Sequence, residues 1–350
     1  MFKRTISKGL VFTLVLTICV SQSACGFAKR MRQPVEDFRA ATNLVTASTE
    51  AGYLIVNRRV IDRFLKKKQC TDIDAADDCK TKSSDPDARL MAPSDVRKAR
   101  IFSDEAIKAR LEAFQTLNKY VTLLAAIANT DKAEKVAKSA TELKSSIDAL
   151  AERIADMAKP SGGNSGEGAS GITNNSANFV NAVQLFSTAI GMVLTAIAEH
   201  KQDKALKEAI KNGTGPTQAL MTAIESDLDT FWSSTVRELN KEREIVFEAF
   251  NDELTEATST GKRADTAKLA ALRKAVMDVL EKQSTLEASN PKNAIQQMGR
   301  AHKALVDAAN EPVEKNFVAA LGTVEAYVRA ATRLGAAIVK LAEEDQEENE

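Results

Sequence analysis

The chain is short of several residue types. Its 350 residues include one Trp, three Tyr, two His, four Cys and only seven Pro. Aromatics make up 5%. Proline and glycine are too sparse for the closely spaced turns of an all-β sandwich or barrel. Two histidines, His200 and His302, cannot furnish an H-E-x-x-H helix or the paired E-x-x-H motifs of a di-metal bundle. They are expected at the surface rather than as ligands. No charge of one sign dominates, since 48 basic residues face 48 acidic ones. That balance, with no basic patch carrying interleaved aromatics, excludes a nucleic-acid partner. No P-loop, dinucleotide fingerprint or G-x-S-x-G elbow occurs. The expectation is therefore a protein that is not an enzyme, with no catalytic residue, cofactor or metal.

What is present is alanine, leucine and charged residues in long unbroken stretches, the composition of long helices. The fold class expected is all-α: an elongated bundle of about six or seven long helices with coiled-coil-like packing. Val35, Phe38, Val45, Tyr53, Val56, Val60 and Phe64 recur at helical spacing, with Pro34 as the first-turn residue. Ile107, Leu111, Phe114, Leu117, Val121, Leu124 and Ala128 mark a second helix. Val136, Ala140, Leu143, Ile147, Leu150, Ile154 and Met157 alternate by four and three, a heptad seam. The short join between these two predicts an antiparallel hairpin. Later helices are expected to Asn212–Gly213, from Pro216 to about 258, over 264–288, and over 292–343 with a break at Pro312. In the long one, Leu220, Ile224, Leu228, Phe231, Thr235, Leu239, Val246, Phe250 and Leu254 form the apolar face.

The N-terminus carries Lys3, Arg4 and Lys8, then the uncharged "LVFTLVLTICV" at 10–20. A basic start, an apolar core of this length and small residues after it describe a secretory signal peptide, residues 1–24. The core falls short of the ~20 residues that span a bilayer. "QSAC", ending at Cys25, resembles the lipobox of bacterial lipoproteins, with Gln22 in place of the usual aliphatic residue. In that family the cysteine is acylated and the leader is cut before it. The rival is cleavage after Ala28. The resemblance implies a lipid anchor at Cys25, with palmitate among its acyl chains and the bilayer as partner. Gly26 in place of Asp implies the periplasmic face of the outer membrane, the alternative being a soluble periplasmic or secreted protein. Without the leader's cations, 45 basic residues face 48 acidic ones.

The organisation expected after the leader is an anchor and tether, 25–34, and an N-terminal helical region, 35–159, with a loop at 69–94. A Gly/Ser/Asn linker at 160–176 precedes a C-terminal helical region, 177–343, and an acidic tail, 344–350. Cys70 and Cys79, with eight residues between them in an exported chain, suggest a local disulfide. Asp72, Asp74, Asp77 and Asp78 lie inside that loop but lack EF-hand spacing, so a solvated loop is expected. Residues 168–198 hold no charge. Asn181, Gln184, Thr188, Gly191 and Thr195 fall on one stripe, and Phe179, Val183, Phe186, Ile190, Val193 and Ile197 on the other. Such a segment resembles the inserting helix of helical pore-forming toxins, but a central helix of a water-soluble bundle is the expected reading.

The function expected is a non-catalytic cell-envelope lipoprotein, a binding or scaffold bundle. Its partner would be another envelope protein or its own copies. The alternative is a membrane-inserting helical effector that uses residues 179–198.

Overall fold

The computed structural model describes residues 26–72, 104–129, 132–158, 202–260, 266–288 and 290–347, with separate positions between 184 and 195. Among them the fold is all-α, with no strand. The helices are α1 (Phe27–Asp72), α2 (Asp104–Asn129), α3 (Ala133–Ala158), α4 (Gln202–Asn212), α5 (Thr214–Thr260), α6 (Thr266–Ala288), α7 (Pro291–Asn310) and α8 (Glu314–Glu347). The described positions at 184–195 are helical too. That exceeds the six or seven expected. The sequence Glu311-Pro312-Val313 separates α7 from α8, and Gly213 separates α4 from α5.

α1, α2, α7 and α8 form the body, with α4 and the start of α5 packed on it. α2 runs antiparallel to α1: Arg32 Nε reaches the Ala128 carbonyl at 3.5 Å, and Asn118 donates to Thr46 Oγ1 at 2.9 Å. α8 runs parallel to α1, so that Phe317 meets Phe27 near one end and Tyr327 meets Phe38 further along. α3 folds back on α2 as expected. Thr116 lies against Ser146 and Lys119 pairs with Glu142, pairings whose order fixes an antiparallel hairpin. The heptad residues Val136, Ala140, Leu143, Ile147 and Leu150 are all buried.

Three expectations about boundaries need correction. α1 begins at Phe27, so Pro34 lies in its interior rather than in its first turn. Residues 26–34 are therefore not a tether, because Phe27, Ala28, Met31 and Val35 are core residues. Their apolar side chains find partners on α8 and α4, which outweighs the hydrogen bond that Pro34 cannot make. α1 also continues through Asp72, which places Cys70 on a helix and not in the loop expected from residue 69. Finally, the N-terminal and C-terminal regions are not separate. α1 packs on α8 and α2 on α4, so one core joins both.

The second half of α5 pairs with α6. Arg243 binds Gln283 at 3.2 Å and Lys268 pairs with Glu253 at 2.7 Å, an antiparallel order. This pair forms an arm. Between Lys241 and Asp278 no described side chain is buried. Leu254, expected inward, is 40% exposed, since α6 covers only part of that face and no third helix among the described residues is paired with it there.

Candidate functional site

Two places concentrate polar groups where the sequence pattern alone would put apolar packing. The first is the end of the body at which the described chain starts. The amides of Phe27 and Ala28 open α1, and the first amides of any helix lack intrahelical acceptors. Here the carboxylate of Asp203, from the first turn of α4, takes both, at 3.0 and 2.8 Å. A helix start carries partial positive charge, which favours the carboxylate there. Gly26 makes this approach feasible: a Cβ on it would stand 2.8 Å from Asp203 Oδ2. Phe27 packs on Phe317, and Arg30 lies over the Phe317 ring at 3.8 Å while pairing with Glu314. Gln202 donates to the Ile127 carbonyl at 2.6 Å, and Asn129 donates to Glu36. The starts of α1, α4 and α8 and the close of α2 are thus tied into one end face.

The second place is inside the body. His302 on α7 is 2% exposed and its Nε2 lies 2.9 Å from the hydroxyl of Tyr120 on α2. That hydroxyl is also 3.4 Å from the Ala209 carbonyl on α4. With a proton on Nε2, the chain of donors runs in one direction: imidazole to phenol to carbonyl. Burial holds the imidazole neutral, its pKa down to about 4, and pushes the Tyr120 phenol well above its ordinary value. Gly213 stands against this ring; a Cβ there would meet Tyr120 Oη at 2.4 Å. Beside the pair, Tyr327 donates to Thr42 Oγ1 at 3.2 Å, and Thr42, Thr46 and Thr49 each donate to the carbonyl one turn back. The expectation of a surface His302 is overturned. It falls on the buried stripe of α7 with Ile295, Met298 and Leu305.

Chemically, these groups bind one another. His302 meets a phenol and no carboxylate among the described hydrogen bonds, and the threonines are spent on their own helix backbone. The arrangement pins α2, α4 and α7 in register, the best-attested use of buried polar pairs.

Of the residues expected to act, Cys25 and Cys79 lie outside the described residues, as do Asp74, Asp77 and Asp78 of the expected solvated loop and the expected surface residue His200. Cys70 and Asp72 fall in the last turn of α1. No group of three metal-ligating side chains occurs among the described residues. In the uncharged segment, Gln184, Thr188, Gly191 and Thr195 are exposed, while Phe186 is buried edge-on against Tyr120 at 5.6 Å. Its polar stripe therefore faces outward. Among the described positions of this segment Phe186 is buried, whereas Leu185, Met192 and Leu194 are exposed, so these positions lack the all-round burial expected of a central helix. Among the described residues no helix is long and apolar enough to cross a membrane. No known protein family, curated protein or solved structure matches this chain.

Proposed function

We propose that this chain is a non-catalytic cell-envelope lipoprotein, held at the periplasmic face of the outer membrane through Cys25. In this reading its helical body is a scaffold or binding module for another envelope protein or a second copy. The observation that supports it most is the fate of residues 26–28. Cleavage after Ala28 would delete Phe27, which is in the core, and both amides that Asp203 caps. Cleavage before Cys25 keeps all of them, so the fold favours the lipobox cut over its rival. Burial of a Phe side chain alone is worth roughly 1.5–3 kcal/mol, and a lost cap about 1 kcal/mol more. The local Cys70/Cys79 disulfide belongs to the same reading.

Two measurements test it. Intact mass of the processed protein should show an acylated N-terminal Cys25. Cys25→Ala should move the protein from the membrane fraction to the soluble one. An unmodified N-terminus at or beyond Lys29 would refute the anchor. Dye release from liposomes by wild type would instead favour the membrane-inserting alternative.

A further inference from the structure

The anchor and the body are separated by no free chain. Gly26 is the residue next to Cys25, its carbonyl already accepts from the amides of Lys29 and Arg30, and Phe27 and Ala28 are fixed by Asp203. An acyl chain on Cys25 would therefore emerge from the end face itself. From these contacts we infer that this end face is a membrane-docking surface: it sits directly on phospholipid headgroups, with the α5–α6 arm held away from the bilayer. The inference rests on the anchor reading.

Three observations carry it. The first is the length of chain available, which is too short to let the face stand off. A bundle on a flexible tether would need several residues of free backbone, and residues 27–34 are helix. The second is charge. Lys29, Arg32 and Lys315 are exposed at this end, with Lys132 and Lys204 beside them in polar contacts of their own. The acids Asp203 and Glu314 are engaged by the α1 amides and by Arg30, and Asp307 by Lys303, which leaves Glu134 and Glu311 as the other exposed acids among the described residues of these turns. Cations near an anionic leaflet are attracted within a Debye length, and an acyl anchor commonly needs such a second contact. The third is Val313, at the tip of the turn between α7 and α8 and 45% exposed. It offers an apolar contact at the depth where headgroups meet acyl chains.

The arm lies elsewhere. α7 ends at the docking face and starts beside Glu225 of α5, where Gln296 and Lys292 reach that carboxylate. α5 carries on from there to Thr260.

The test places a tryptophan at each site in the processed, full-length protein. The single native Trp232 is changed to Phe. One variant adds Val313→Trp and the other adds Ser259→Trp. Both are reconstituted into vesicles of phosphatidylethanolamine and phosphatidylglycerol, with and without shallow-brominated phospholipid. The expected result is that the tryptophan at 313 loses most of its emission to the brominated lipid while the one at 259 loses none. In protein shown by mass to be acylated at Cys25, equal quenching at both sites, or none at 313, overturns the docking while leaving the anchor intact. An N-terminus beyond Cys25 overturns both. Asp203→Ala, or Gly26→Ala if the first variant does not fold, should keep the protein on the vesicles but weaken quenching at 313. Unchanged quenching would show that the Asp203 clamp does not set the mounting. Reversing charge with Lys29→Glu and Arg32→Glu should also reduce quenching, and no reduction would remove the electrostatic part of the inference.

Discussion

The body and the arm are built from the same kind of helix, and the sequence marks them alike. α5 crosses both. In its first part Leu220, Ile224 and Leu228 are buried against α7 and its neighbours. In its last part Val246 and Phe250 are only partly covered and Leu254 is exposed, because α6 is the only described helix paired with it there. The apolar stripe is continuous, but burial depends on how many partners reach it. Two helices alone leave each apolar face half open, whereas the body surrounds α2 on several sides. Stability should follow burial and not pattern.

The largest expected effect contrasts one acid in each region. Leu124 is fully buried in the body. Leu124→Asp should cost roughly 4–5 kcal/mol or prevent accumulation, as an unpaired charge in a packed core does. Leu254→Asp in the arm should cost about 0.5 kcal/mol or less. Denaturant titrations followed by circular dichroism read both, and equal costs would erase the distinction.

Next is the pH response of the body. The folded pKa of His302 is down to about 4, below its ordinary 6.5. Between those values the unfolded chain binds a proton that the folded one refuses, so stability rises with pH. The contribution is complete above about 6.5 and is lost as pH falls toward 4, roughly 3 kcal/mol at one pKa unit per 1.36 kcal/mol. His302→Gln should flatten this slope in denaturation curves taken between pH 7 and 4. An unchanged slope would mean the imidazole is not the titrating group. The carboxylates held low by lysines, Glu142 by Lys119 and Glu281 by Lys340, lose their contributions only in more acid solution.

Gly213→Ala comes third. Its new Cβ would press on the Tyr120 ring, and overpacking of this kind costs about 1–3 kcal/mol. In a Tyr120→Ala background the same change should be nearly silent. A full cost there would place the strain elsewhere. Smallest is Ile245→Ala in the arm, where a 60% exposed side chain should matter by less than about 0.5 kcal/mol in the same titrations.

Much of this was legible in the sequence, for physical reasons. α3, a helix with one strong face, has its described buried residues where the three-four spacing puts them, whereas α2 buries that stripe and also Ala109, Ala113, Tyr120, Leu123 and Ile127, because neighbours surround it. His302 could have been found the same way, since it stands in register with Ile295, Met298 and Leu305. Its polarity disguised a core position. The three tyrosines are few, and all three are buried, so scarcity itself marked the body's polar seam. The Asp203 clamp was not legible. It joins residues more than 170 apart, and local pattern carries no sign of which distant carboxylate will cap a helix. Pro34 misled because proline favours first turns, while packing of Phe27 and Met31 extended α1 past it. The exposure of the arm was hidden because periodicity reports a face, not the presence of what covers it.

Native-state hydrogen exchange tests the division most directly. If body and arm differ as their burial says, amides of α1, α2 and α7 exchange only through global unfolding, with a free energy that follows denaturant stability. Amides of α5 beyond Lys241 and of α6 before Asp278 then exchange through a separate opening of much lower free energy, which Leu124→Ala leaves unchanged. Equal protection along the whole of α5, falling together in Leu124→Ala, would contradict the account.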